Sequence, residues 1–399
     1  MTWSAGDGLL SRQSSIRSAV CRPALRLWPL VLLVAGLSLQ ACQNTSADKV
    51  LDVEQKSAGP VTEEQIGSGP TQVVLLATSG VSPTRQRDIL EGAKLAMEDL
   101  GAAHVSLHIR NGGPDVVASA AKAASEGAAF ILGPMDEQGG LLVSRMNGGQ
   151  HPPVLAFTEG PMPARTNSWG MYADGLDSAL EGIRATIGTK QTKFTVLYPE
   201  GMATGDLAQL RDSTKAMGGT ILGTISYPKS TGSIAAFLQA HKPMFDASQS
   251  VVLLGNDPVA GPLLEQLAAG VVGQSVSSVI ATSELSESIY SRPAVQGGIL
   301  AKPADPSTDL IGTRYERRFG HNPSYDSAIG YDAVAVAAGL ARAANGKAID
   351  TSLLTSAKGF RGLTGLFRFR TDGTTERRQK LYRIEDGRLT LLQTDGSGF

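Results

Sequence analysis

The sequence has little cysteine, few aromatic residues and no long apolar run. Two cysteines, Cys21 and Cys42, occur in 399 residues, and aromatic residues make up 5% of the chain. A disulfide framework is therefore excluded, and stability must come from a core of aliphatic and small side chains. The apolar run at residues 27–39 is shorter than the ~20 residues that cross a bilayer as a helix.

Catalytic and nucleotide-binding motifs are lacking as well. The sequence contains no Walker A loop, no dinucleotide glycine fingerprint and no nucleophile elbow. The five histidines show no metal-ligand spacing, and the pair His104 and His108 is predicted to lie half-exposed on a strand. We therefore expect no enzymatic activity, no cofactor and no metal. The net charge of −1 also argues against a nucleic-acid partner, which needs clustered cations.

The N-terminus has the pattern of a secretion signal. A basic leader precedes the apolar run, and Leu39-Gln40-Ala41-Cys42 follows it directly, as in a bacterial lipobox. Residues 1–41 are therefore predicted to be a lipoprotein signal peptide, with Cys42 as the lipidated residue. The alternative is an ordinary secretion signal with an incidental cysteine. Residues 42–70, rich in Ser, Gly, Glu, Gln and Pro, are predicted to form a flexible tether.

From Thr71 onward, predicted strands and helices alternate. Residues 72–77 (QVVLLA) are typical of a strand buried on both faces of a parallel sheet, and Ser82-Pro83 is a helix start. The same alternation begins again at residue 194, so the sequence predicts two α/β lobes with parallel sheets flanked by helices. Near the end, Asp-Gly turns between short apolar runs predict a C-terminal β-hairpin.

The chain from residue 71 to 399 resembles the type I periplasmic-binding fold of branched-chain amino-acid binding proteins. The segments that carry the resemblance are VVLLATSGVSPTRQRDILEGAKLAMEDLG, LHIRNGGPDVVASAAKAASEGAAFILGPMDE and PVLAFTEG. The terminal segment FRGLTGLFRFRTDGTTERRQKLYRIEDGRLTLL is similar to that of the penicillin-binding protein activator lipoproteins. The resemblance implies three crossings between lobes, with residues 71–173 and 303–346 in lobe one and 174–302 and 347–399 in lobe two.

Loops at the carboxyl ends of the strands are expected to face the cleft between the lobes, where this fold binds its ligand. The expected cleft residues are Ser79, Gly80, Asp136, Glu137, Thr158, Glu159, Tyr198, Thr204, Asp206 and Glu284. Thr158 matches the pattern of amino-acid binders, whereas Asp136 and Glu137 depart from it and favour a cationic or amine-bearing ligand. Either acid could instead cap the helix that follows, and Asp206 could be an ordinary first-turn acid.

Two functions remain open at this stage. The chain could be a lipoprotein that regulates cell-wall synthases, the penicillin-binding proteins, through protein contacts. It could instead capture a small amino-acid-like or amine ligand and deliver it to the membrane subunits of an ABC transporter. Arg368, Arg370, Arg377 and Arg378 form a basic run that is either a solvated hairpin face or a protein-docking surface. Both functions imply a periplasmic protein anchored by lipid to the inner or outer membrane.

Overall fold

Short apolar runs of the first lobe form a six-stranded sheet in the computed structural model. The structure describes residues 57–172, 175–202, 204–255, 258–271, 278–308, 310–345, 347, 349–393 and 398–399. The strand order is β1-β3-β2-β4-β5-β6, and all neighbours are parallel except β1 and β3. The strands are β1 (Glu64–Ile66), β2 (Thr71–Ala77), β3 (Val105–Asn111), β4 (Phe130–Leu132), β5 (Val154–Ala156) and β6 (Ser168–Gly170).

Helices cover both faces of this sheet. Early helices of the lobe are α1 (Pro83–Ala96), α2 (Val116–Ser125) and α3 (Glu137–Ser144). As the sequence predicted, Ser82 caps α1: its hydroxyl accepts the N–H of Arg85 at 3.2 Å. Strands that are buried on both faces alternate with helices, which confirms the predicted parallel sheet flanked by helices. A sheet covered on both faces needs strands that are apolar on both sides.

The second lobe repeats this arrangement around another parallel sheet. Its strands are β7 (Lys193–Tyr198), β8 (Thr220–Ser226), β9 (Ser250–Leu253), β10 (Ser278–Ala281) and β11 (Ile299–Lys302). Its helices are α4 (Gly175–Gly188), α5 (Thr204–Ala216), α6 (Ile234–Ala240), α7 (Lys242–Ala247) and α8 (Ala260–Gln266). Two apolar clusters, one on each face of the sheet, form the core of this lobe.

The chain then returns to lobe one through α9 (Leu310–Phe319) and α10 (Tyr325–Ala344). Helix α10 packs closely on α1 because glycine lies at the contact on each helix. A Cβ at Gly92 would lie 1.8 Å from the carbonyl oxygen of Ser327, and one at Gly330 would lie 2.1 Å from that of Ile89. This close approach fixes the first turns of α10 against the middle of α1.

The C-terminal segment contributes to both lobes. A three-stranded antiparallel sheet contains β12 (Phe360–Gly362), β13 (Gly365–Phe369) and β14 (Thr375–Arg377). A hairpin of β15 (Lys380–Glu385) and β16 (Arg388–Gln393) then extends the lobe-two sheet, with β15 antiparallel to β11. The predicted C-terminal hairpin is thus present.

The lobe boundaries differ from the predicted ones at two places. Residues 347–399 were expected in lobe two, yet Phe367 and Phe369 belong to the lobe-one core, and the Trp169 indole N–H donates to the carbonyl of Arg370 at 2.8 Å. Aromatic side chains that complete the core of one lobe hold the segment there. The predicted tether also ends earlier than Pro70, because β1 pairs with the edge strand β3 and Ala58 is buried.

Candidate functional site

Loops at the carboxyl edge of the lobe-one sheet bring some of the expected cleft residues together. Ser79 and Gly80 follow β2 and are exposed. Gly80 lies against the next loop, since a Cβ added there would be 3.0 Å from the Cβ of Asp136. The hydroxyl of Thr78 joins the same two loops by accepting the backbone N–H of Met135 at 3.1 Å.

Asp136 acts as a helix cap. Its Oδ1 accepts the backbone N–H of Gly139 at 2.7 Å, and it is the N-cap residue of α3. Glu137 is exposed in the first turn of that helix, where a negative charge is favourable. Asp136 therefore matches the alternative in which it caps the helix that follows, because its carboxylate is oriented toward the backbone of α3.

Thr158 and Glu159 lie next to each other after β5 in different environments. Thr158 is 3% exposed, and its hydroxyl has no hydrogen-bond partner among the described residues. Glu159 is exposed. A buried hydroxyl without a partner is costly, so Thr158 is an unsatisfied polar group at this edge.

A cluster that no local sequence pattern indicated spans the same edge of lobe one. Arg85 in the first turn of α1 donates from Nη2 to the carbonyl of Phe157 at 2.9 Å, and its guanidinium lies 4.4 Å from the ring centre of Tyr172. The Tyr172 hydroxyl donates to Asp326 in the first turn of α10, and Nε of Arg85 lies 3.7 Å from the same carboxylate. The contacts join α1, β5, β6 and α10 beside the first crossing between lobes.

Burial dominates the electrostatics of this cluster. It raises the pKa of the Asp326 carboxyl above its usual value, while the Tyr172 hydroxyl and the Arg85 guanidinium act in the opposite direction. Burial also raises the pKa of the Tyr172 hydroxyl, and the neighbouring Asp326 adds to this effect. The tyrosine thus remains a neutral hydrogen-bond donor, and Arg85 is held by a π face, a carbonyl and a carboxylate.

The expected lobe-two residues lie on the corresponding edge of the second sheet. Tyr198 ends β7 and is half-buried, and Thr204 begins α5 and is exposed. Asp206 is half-buried in the first turn of α5, as an ordinary first-turn acid would be. Glu284 is exposed after β10, where the backbone N–H of its neighbour Ser283 donates to the Ser178 hydroxyl at 2.9 Å. Cys42 lies outside the described residues.

The basic run near the C-terminus divides into two pairs. Arg377 and Arg378 are 3% and 8% exposed. For these two residues, the predictions of a solvated hairpin face and of a docking surface are therefore both wrong. Arg377 donates to the Thr364 hydroxyl at 2.7 Å and lies over the Phe367 ring. Arg368 and Arg370 are more exposed, and both bind Glu376.

Arg368 and Arg370 line a groove of about 570 Å³. It is bordered by α4 and α5 on one side and by the hairpin of β13 and β14 on the other. Arg368 donates twice to Oε2 of Glu376, at 2.9 and 2.7 Å, and Arg184 lies 3.7 Å from its other oxygen. With Asp212 and Asp372, the lining is charged with both signs and open to solvent.

Known proteins with the same fold have different roles. The family model described as "Periplasmic binding protein" matches residues 73–388. A Rhodospirillum rubrum protein described as a branched-chain amino acid ABC transporter has a TM-score of 0.64, with 18% identity over 81% of this chain and 100% of that one. The C-domain of LpoA from Haemophilus influenzae, a regulator of PBP1A, has a TM-score of 0.62, with 17% identity over 81% and 100%.

A third similar structure is a complex with leucine. It is an ABC transporter substrate-binding protein from Desulfitobacterium hafniense, with a TM-score of 0.53 and 16% identity over 81% of this chain and 100% of that one. No curated protein is a detectable relative. At these identities the likeness establishes the fold and leaves the ligand open. Within the described part of the chain, no helix has the length and apolarity needed to cross a membrane.

Proposed function

Because the chain belongs to the periplasmic binding protein family, we propose that it is a non-catalytic envelope protein that regulates a cell-wall synthase of the penicillin-binding class. Regulation would proceed through protein contacts. The partner is suggested by the fold shared with the LpoA C-domain, a regulator of PBP1A.

The contacts of the Arg85 side chain are the main support for this proposal. A ligand of an open α/β sheet binds beyond the carboxyl ends of the strands. In lobe one, the Arg85 side chain crosses the ends of β5 and β6 and is held there by Phe157, Tyr172 and Asp326. Together with the capping role of Asp136, these contacts support the proposal, because they commit side chains at this edge to partners within the chain.

The mixed-charge groove of about 570 Å³ is the surface that we assign to the partner. Arginine is enriched among residues that contribute strongly to protein interfaces. Arg370 is half-exposed at the groove, with its Nη1 3.4 Å from Glu376, so its orientation is set before a partner binds. Such preorganisation reduces the entropy lost on association.

We expect Arg370→Ala to weaken binding to a purified penicillin-binding protein by tenfold or more, about 1.4 kcal/mol or above. The matched control is Arg383→Ala, because Arg383 is equally exposed and pairs with Glu385 at 3.5 Å on the terminal hairpin. Biolayer interferometry with both variants measures the difference. Equal binding by the two variants would remove the groove from the proposal, and no binding by the unaltered protein would contradict the proposal itself.

Solute capture is the second candidate, and one observation favours it. The Thr158 hydroxyl and Nε of Arg85 are both buried without a hydrogen bond among the described residues. An acceptor group of a small ligand that reached either atom would give it a partner. A thermal-unfolding screen with amino acids, amines, peptides and wall fragments distinguishes this candidate, since a ligand at 100 times its Kd adds ~2.7 kcal/mol of stability. A clear shift together with no synthase binding would favour transport.

We further propose that a lipid on Cys42 anchors the protein to the envelope membrane. Each buried methylene of an acyl chain contributes ~0.8 kcal/mol, so two or more chains hold a protein firmly. Cys42→Ala is expected to lose incorporated labelled palmitate and to move from the membrane to the soluble envelope fraction. Cys21→Ala, within the predicted signal peptide, should change neither. Membrane retention of the Cys42 variant would refute the anchor.

A further inference from the structure

A cluster of metal-ligating side chains lies on lobe one outside the proposed partner surface. Asp88 and Glu91 are three residues apart on α1 and so share a face of that helix. His321 lies in the loop between α9 and α10. One ligand atom from each of the three residues lies within 4.8 Å of the others.

The histidine ring is oriented with Nε2 toward the Glu91 carboxylate. Its Nδ1 lies 3.0 Å from the carbonyl oxygen of Asn322, which can only accept, so Nδ1 carries a proton. Its Nε2 is shielded from solvent and lies 3.0 Å from Oε2 of Glu91, but makes no acceptable hydrogen bond to any described residue. A cation bound between Nε2 and the two carboxylates would give this nitrogen a partner.

Neighbouring hydroxyls orient the two carboxylates. The Ser324 hydroxyl donates to Oδ2 of Asp88 at 2.7 Å, and the Tyr315 hydroxyl donates to Oε2 of Glu91 at 2.6 Å. Such outer hydrogen bonds hold metal ligands in place and increase metal affinity. Asp88 also accepts from the Arg87 guanidinium at 2.7 Å, so a metal would compete with an exposed arginine for one oxygen.

We propose that Asp88, Glu91 and His321 bind one divalent transition-metal ion of the zinc class. An imidazole nitrogen with two carboxylates suits zinc or nickel, whereas calcium requires six to eight oxygen ligands. The side chains of Glu91 and His321 are 18% and 35% exposed, so the cluster lies near the surface of lobe one. The ion would tie the loop before α10 to α1.

Calorimetric titration of the purified, tag-free protein with zinc chloride tests the site. We expect one equivalent to bind and the melting temperature to rise. Glu91→Gln and His321→Gln are each expected to weaken binding at least tenfold. Loss of an outer-shell partner alone weakens metal binding by about tenfold or more, so loss of a direct ligand should have at least that effect. His104→Gln, which alters a half-buried histidine elsewhere in lobe one, should bind as the unaltered protein does.

Cobalt(II) supplies a second measurement that does not depend on variant stability. Bound cobalt in a site with nitrogen and oxygen ligands shows visible absorption that zinc displaces stoichiometrically, and calcium should not displace it. Zinc binding that is unchanged in both Glu91→Gln and His321→Gln would overturn the proposal, as would the absence of binding. If one variant fails to fold, the other variant and the cobalt spectrum of the unaltered protein decide the result.

Discussion

Asp332→Ala is expected to lower the free energy of unfolding by about 3–5 kcal/mol, because it leaves three donors at a buried site without their acceptor. Asp332 lies within α10 and is fully buried. Its carboxylate accepts the backbone N–H groups of Leu363 and Thr364 at 2.7 and 3.0 Å and the Thr364 hydroxyl at 2.6 Å. These bonds join α10 to the turn between β12 and β13.

The nearby Arg377 increases the cost of removing this carboxylate. Burial raises the pKa of Asp332, while the hydrogen bonds from Thr364 and Leu363 and the charge of Arg377 oppose that change. The Arg377 guanidinium is itself buried and donates to the same Thr364 hydroxyl at 2.7 Å. Without Asp332, the buried Arg377 guanidinium would lose its favourable interaction with that negative charge.

Two comparison variants show whether burial causes the effect. Asp332→Asn retains one acceptor oxygen and should lose less stability than the alanine variant. Asp350→Ala removes a carboxylate with similar local bonds, to the N–H and hydroxyl of Ser352 at 3.0 and 2.6 Å, but in an exposed position. For Asp350→Ala we expect the free energy of unfolding to fall by ~1 kcal/mol or less. Urea denaturation measures all three variants, and equal losses at positions 332 and 350 would contradict the role of burial.

Local sequence patterns predicted those features of the fold that depend on neighbours along the chain. The apolar run at residues 72–77 coincides with β2, and the Ser82 cap begins α1 as expected. The Asp-Gly turn at Asp386 lies within the terminal hairpin, where Asp386 and Gly387 both have positive φ. Strand burial, capping and tight turns are set by residues within a few positions, so a single sequence reveals them.

The candidate site could not be predicted in the same way, because its contacts are distant in sequence. Arg85 and Asp326 come together only when α10 returns to lobe one, and the pattern around each residue resembles an exposed helix start. All four arginines in the C-terminal run have partners on the same segment or on another element, which residue spacing does not show. His321 likewise meets Glu91 through the packing of the loop before α10, not through a ligand motif.

Breaking the ion pair between Arg378 and Glu181 should also cost about 3–5 kcal/mol of stability. Nε and Nη2 of Arg378 donate to the two carboxylate oxygens of Glu181, each at 2.8 Å, and both side chains are below 10% exposed. Arg378 lies in the last crossing between lobes, between β14 and β15, while Glu181 lies on α4. The pair therefore fixes the crossing segment to lobe two.

A double-mutant cycle measures this pair. We expect Arg378→Ala and Glu181→Gln each to be strongly destabilising, and the double variant to be much less destabilised than the sum, because neither charge is then left buried alone. The matched pair Arg383 and Glu385, which is 45% and 43% exposed, should give a coupling of ~1 kcal/mol or less. Additive effects at positions 181 and 378 would show that the pair does not act as a unit.

The result also bears on the two proposed functions. Solute-binding proteins that close on a ligand need crossing segments that absorb changes in backbone angles. Here one crossing is held to α4 by a buried bidentate ion pair, and Arg377 beside it binds the Thr364 hydroxyl of lobe one. A large coupling energy would mean that closure must strain or break buried bonds at this crossing. A rigid two-lobed surface loses less entropy when it binds a protein partner, so strong coupling would favour regulation over capture of a solute.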